Sequence, residues 1–124
     1  MTPWTAFNYQ GEYVFDAARV KKYWLQLHAG DLEPLPNDEA VLAAWAQFHG
    51  GAFQKATELG LQAGSAGSTV ANKATCIYAN YLEPKEKNRQ TLFLQVAERA
   101  AAQSVAEPGN PNAYYWQAYA LGRY

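Results

Sequence analysis

Few side chains in this sequence have a spacing that suggests chemistry. Cys76 is its one cysteine, and His28 and His49 are its two histidines. A nucleophilic thiol needs a base beside it, and neither histidine forms a recognisable signature with Cys76. The three residues lie 21 and 27 positions apart, which matches no zinc-ligand pattern, so no metal and no cofactor is expected. Cys76 reads instead as a buried or groove-lining packing residue. Each histidine falls near the C-terminal end of a helical pattern, where a partly charged imidazole interacts well with the helix dipole. Asp31, Glu33, Asp38 and Glu39 form an acidic set interrupted by Pro34 and Pro36. It does not fit the twelve-residue calcium loop, and solvated loop charge and helix capping account for it. Gly60, Gly64 and Gly67 lack the Lys-Ser and the strand–helix context of a phosphate loop. Lys85, Lys87 and Arg89 are interleaved with Glu83 and Glu86, so they make no basic patch. No catalytic residue emerges, and an enzyme is not expected.

Composition narrows the classes further. The 124 residues can bury roughly two thirds of their unfolded surface, enough for one core. Apolar residues make up 49% and aromatics 15%, the make-up of a folded chain. Ten basic residues face eleven acidic ones, giving a net charge of −1, which disfavours nucleic acid and anionic membranes as partners. A single cysteine cannot close an internal disulfide. Apolar runs such as residues 40–46 fall far short of the roughly 18–20 needed to span a bilayer. The start, Met1-Thr2-Pro3-Trp4, lacks the basic and apolar regions of a signal peptide, so a cytoplasmic location is the simplest expectation. A chain trimmed of its leader would read the same way.

The elements that must position these residues are helical. Residues 1–15 carry Trp4, Phe7, Tyr9, Tyr13 and Phe15, broken by Pro3 and Gly11. With no second strand-like run to pair with, they read as an extended arm that lays rings on the helices; an exposed arm used for association is the alternative. From Asp16, an N-cap, residues Ala17, Val20, Trp24 and Leu27 form one stripe that stops at Gly30. Pro34 and Pro36 make the next stretch a connector. Asn37 or Asp38 caps a second helix with Val41, Leu42, Trp45 and Phe48 on one side. Gly50-Gly51 breaks it, and Phe53, Ala56, Gly60 and Ala63 mark a third. Two amphipathic helices joined by a glycine pair must fold back on each other. After a loop at 65–68, capped by Ser68 or Thr69, a fourth helix places Val70, Ala74, Ile77 and Tyr81 on a stripe. A charged turn at 83–88 leads to a fifth with Leu92, Phe93, Val96, Ala97, Ala100 and Ser104. Pro108-Gly109 ends that hairpin, and Asn110-Pro111 starts a sixth helix with Ala113, Trp116, Tyr119, Ala120 and Arg123.

Helix starts near 38, 69 and 111 lie 31 and 42 residues apart, a mean in the mid-thirties. Gly50-Gly51-Ala52-Phe53-Gln54-Lys55-Ala56 resembles the turn of the tetratricopeptide repeat (TPR) family, and Gly60 and Ala63 suit the close-packing sites of its second helix. Trp116, Tyr119 and Ala120 resemble the first-helix pattern, and Asn110-Pro111 the unit boundary. Departures are Ala40 and Thr75 where that family has leading aromatics, and a lengthened turn at 84–88. The chain also looks like the amino-terminal portion of longer bacterial TPR-like proteins of unassigned function. The resemblance implies an all-α fold: about six helices in antiparallel hairpins, stacked as a TPR-like right-handed solenoid. Its domain is 16–124, with hairpins at about 38–64 and 69–104 and a half unit at 111–124. A six-helix bundle without superhelical stacking satisfies the same helices.

The resemblance also implies a non-enzymatic module that binds a protein or peptide in a helical groove. Its residues would be Lys73, Cys76 and Asn80 from the fourth helix, and Tyr114, Gln117 and Leu121 from the sixth. A solenoid end without a polar cap is expected to associate, here through Tyr115, Trp116, Tyr119 and Tyr124, with another copy or with further sequence. The alternative is a structural amino-terminal segment of a larger repeat protein with no ligand site of its own.

Overall fold

The computed structural model describes residues 3–7 and 14–124. Tyr9 and Tyr13 of the expected arm lie outside the described residues. Among those described, the secondary structure is helical, with no strand. The helices are α1 (Ala17–Lys22), α2 (Trp24–Leu27), α3 (Glu39–His49), α4 (Phe53–Gln62), α5 (Ser68–Tyr81), α6 (Glu86–Ala106) and α7 (Pro111–Arg123).

Local chemistry sets most boundaries. The Asp16 carboxylate accepts from the Arg19 N–H at 2.7 Å, Asp38 from Ala40 at 2.8 Å, and Asn110 from Asn112 at 3.0 Å, so three of the expected caps operate. Pro111 follows its cap at the first helical position. Gly51 turns the chain between α3 and α4 with φ at +85°, and a Cβ there would lie 2.5 Å from Phe7. Three expectations need correction. Neither Ser68 nor Thr69 caps α5: Ser68 is already its first residue, and the cap position is Gly67, which has no side chain to bond. The single helix over 16–30 is divided at Tyr23, whose φ of −104° and ψ of 17° leave the helical region. Trp24 meets Trp45 edge-on and donates to the Glu33 carbonyl, and Tyr23 absorbs the change in direction. On α5, Tyr81 is exposed and Tyr78 takes the buried position.

Successive helices pack as neighbours: α3 on α4, α4 on α5, α5 on α6 and α6 on α7. In addition α3 touches α5 and α5 touches α7, so alternate helices share one side of the molecule. Trp24, Trp45, Val20, Val41, Leu42 and Val70 form one core cluster; Tyr78, Leu92, Phe93, Val96 and Trp116 anchor a second. Gly60 and Gly67 allow the tightest approach. A Cβ on Gly67 would fall 1.9 Å from the Gly60 carbonyl oxygen, and one on Gly60 would fall 2.7 Å from that of Gly67. Trp4 stacks on Tyr78 with centroids 4.2 Å apart, and Phe7 meets Phe53 at 5.8 Å. Among the described residues, no helix is long and apolar enough to cross a membrane.

Candidate binding cleft

Residues 24–33 run from α2 into the connector and lie across α3, α5 and α7 in turn. Trp24 and His28, one helical turn apart, share a face; their rings stack at 3.8 Å and both meet Trp45 of α3 edge-on. His28 Nε2 lies 3.0 Å from His49 Nε2, at the end of α3. Asp31 reaches α5, where its carboxylate accepts from Lys73 Nζ at 2.8 Å. Glu33 reaches α7 and accepts from Asn112 Nδ2. Trp24 Nε1 donates to the Glu33 carbonyl at 2.7 Å and ties the segment to itself. Leu32, between the two carboxylates, has φ at +54° and is 82% exposed.

The histidine pair has one self-consistent arrangement. His28 Nδ1 lies 3.1 Å from Asp31, and a carboxylate only accepts, so Nδ1 carries the proton. Burial holds the pKa of His28 below its ordinary value, although Asp31 opposes this, and the neutral ring must then accept at Nε2. His49 Nε2–H is therefore the donor between them. Desolvation, with the like charges of His28 and Lys73, pushes His49 down to about 4. Lys73 also lies 5.4 Å from the ring centre of Phe48 and 5.9 Å from that of Trp45, a cation held over aromatic faces. Asp31 titrates below the usual carboxylate range: burial acts against this, but its bonds from Lys73 and the Glu33 N–H outweigh it. Burial pushes Glu33 up despite the Asn112 bond.

Beside this segment opens a cleft of about 720 Å³. Lys73 and Ile77 of α5 form one wall, and Asn112, Tyr115, Trp116 and Tyr119 of α7 form the other. Asp31 and Leu32 close one side. An apolar, aromatic trough with a few charged and amide groups at its edge can hold a ligand in a fixed orientation; it contains no nucleophile–base pair.

The sequence-derived site residues distribute unevenly around it. Lys73 lines the cleft. Cys76 is fully buried behind it, and burial pushes its thiol up to about 12, against the opposing charges of Arg99 and Arg123. Asn80 is half-buried and donates to the Tyr119 hydroxyl at 2.7 Å, while accepting from Arg123 at 3.3 Å. Tyr114 is exposed and donates to the Pro108 carbonyl at 3.0 Å; Gln117 is half-buried and Leu121 exposed. Of the residues expected to self-associate, Tyr115 lines the cleft at 53% exposure, Trp116 is buried, Tyr119 is half-buried and Tyr124 is exposed.

Sequence reasoning missed His28, His49, Asp31, Glu33 and Asn112 as one constellation. Asp38 does cap a helix, but Asp31 and Glu33 are partly buried and bonded to other helices rather than solvated. A signal was present: Trp24-Leu25-Gln26-Leu27-His28 and Trp45-Ala46-Gln47-Phe48-His49 share a Trp-x-Gln-x-His pattern. Among the described residues no group of three or more His, Cys, Asp or Glu is arranged to hold a metal ion. Comparison with protein-family models, with curated protein sequences and with solved structures gives no match.

Proposed function

We propose that this chain is a non-enzymatic, TPR-like helical-repeat module that binds an extended peptide or protein segment in the cleft between α5 and α7. The observation that carries this reading is the cleft itself: about 720 Å³, walled by Ile77, Tyr115, Trp116 and Tyr119, with Lys73 and Asn112 at its edge. Aromatic walls bury an apolar side chain, and the ammonium and amide orient a backbone or carboxylate. Support for the repeat reading comes from packing. Helix α5 touches both α3 and α7, while α4 joins α3 to α5 and α6 joins α5 to α7, an order that suits stacked hairpins better than rods around one axis.

A peptide-display library panned against the protein tests this. Selected sequences should lose binding to Tyr115→Ala and Lys73→Met. Failure to enrich any sequence, or binding indifferent to both substitutions, would remove the cleft as the site.

A second reading has one observation in its favour. Residues 24–33 already cover the α3 end of this face, as expected of a structural segment of a larger repeat protein. Under that reading the exposed Tyr114 and Leu121 of α7, with Tyr124 just after it, would face further sequence or another copy. A sedimentation series over protein concentration separates the two: concentration-dependent association abolished by Leu121→Asp supports the structural reading.

A further inference from the structure

We propose that residues 30–33, beyond the buried Trp24 and His28, form a displaceable strap lying in the ligand groove, and that the groove's partner is an extended acidic peptide with two carboxylates flanking an apolar residue, which competes with the strap for Lys73 and Asn112. This inference rests on the peptide-binding reading and specifies its ligand.

The strap shows what the groove recognises. Asp31 and Glu33, two positions apart, place one carboxylate on α5 at Lys73 and the other on α7 at Asn112. Both anchors also border the open cleft, so an incoming peptide that fills the cleft meets the groups that hold the strap. The strap fits imperfectly between its anchors. Leu32 sits in the left-handed region, which side chains with a Cβ rarely adopt, and its side chain is left in solvent. A separate peptide with ordinary extended backbone at that position can turn its apolar side chain into the trough beside Ile77 and Tyr119. Glu33 adds to the mismatch, because its partly buried carboxylate is answered by a neutral amide.

Charge fixes the sign of the partner. Strap departure removes Asp31 and Glu33 from this face, while Glu107, near enough to Glu33 to raise its pKa, stays beside the α7 end. Lys73 remains on the cleft wall with its ion pair vacated. The uncovered cleft therefore presents an unpaired ammonium on its α5 wall and the Asn112 amide on its α7 wall. An acidic segment complements it, and a basic one is repelled.

The test uses a fluorescein-labelled peptide with the strap's own acidic sequence, Gly-Asp-Leu-Glu-Pro-Leu-Pro, and a control in which Asn and Gln replace the acids. Fluorescence anisotropy is read on the wild-type chain, on Asp31→Asn/Glu33→Gln, and on Leu32→Gly, each checked for helical content. Loosening the strap should raise the competent fraction, so the double variant should bind the acidic peptide at least about tenfold more tightly than wild type. Leu32→Gly relieves the strap's backbone strain and should weaken binding; it decides the matter if the double variant does not fold. Equal affinities across the three proteins, binding of the amide control, or tighter binding by Leu32→Gly would overturn the inference. Library peptides that bind in a Tyr115-dependent way but are neutral or basic would overturn it while leaving the cleft's peptide-binding role standing. Absence of any peptide binding would overturn both.

Discussion

Acidification from pH 7 to about 4.5 should destabilise this protein, and replacing His49 by Gln should remove much of that effect. In the folded chain His49 titrates near 4 against an ordinary value of 6.5. It is therefore neutral in the native state throughout that interval. Above pH 6.5 neither state is charged and stability is full. Between 6.5 and about 4 the unfolded chain takes up a proton that the native chain does not, so stability falls. The whole gap corresponds to at most about 3.5 kcal/mol, at roughly 1.4 kcal/mol per pH unit; with the ring partly open to solvent, a loss of about 2 kcal/mol by pH 4.5 is expected. His28, also lowered by burial, acts in the same direction. Glu33, raised by burial, acts in the opposite one: its contribution grows as the pH falls through its folded value. Asp31 matters only below its ordinary 3.8, outside the interval. Glutamine retains an N–H that can donate to His28 Nε2 but does not titrate. Urea midpoints at pH 7, 5.5 and 4.5 provide the assay. The variant should lose about 1–2 kcal/mol less than wild type across the range. Equal losses in the two proteins would refute the reasoning.

The remaining expectations are simpler. Trp116→Ala should cost about 3–5 kcal/mol in urea unfolding, because the ring is 6% exposed within the α5–α6–α7 core; a loss under about 1 kcal/mol would place it on the surface. Gly67→Ala should lower the thermal midpoint markedly, since its Cβ would collide with backbone 1.9 Å away, whereas Gly122→Ala, with no neighbour within 4 Å in α7, should raise stability by about 0.5–1 kcal/mol. Cys76, buried with its thiol pushed up to about 12, should resist a disulfide-exchange reagent at pH 8 in the native state and react on unfolding.

Helix periodicity and capping made most of the elements legible. Asp16, Asp38 and Asn110 acted as stop-and-start marks because a short polar side chain at an N-cap satisfies a backbone donor without tertiary help. The stripe Val41, Leu42 and Trp45 and the pair Phe93 and Ala97 were readable because one-sided burial leaves a period in the sequence. Gly60 was readable as a close-packing site, but its partner Gly67 was not, because a glycine in a short turn has many local uses. The break at Tyr23 was hidden because it answers to Trp45, on another helix, and to Glu33, beyond the end of its own. The cleft was half legible. Lys73 was identified as groove-lining by resemblance, while Cys76, one helical turn less a residue onward, points into the core. The strap was invisible because Asp31 and Glu33 have the composition of a solvated loop. Only the three-dimensional crossing of α3, α5 and α7 gives them partners.

That crossing can be read in solution with one paramagnetic label. Leu32 is exposed, so a nitroxide on Leu32→Cys in a Cys76→Ala background should report what lies beneath the strap without disturbing its anchors. In an amide correlation spectrum, signals of Lys73, Ile77, Asn112 and Tyr115 should broaden, while those along the outer side of α6, such as Glu98 and Ala102, stay sharp. Sharp signals at Lys73 and Asn112, or uniform broadening across α4 and α6 as well, would contradict a strap lying on a face shared by alternate helices.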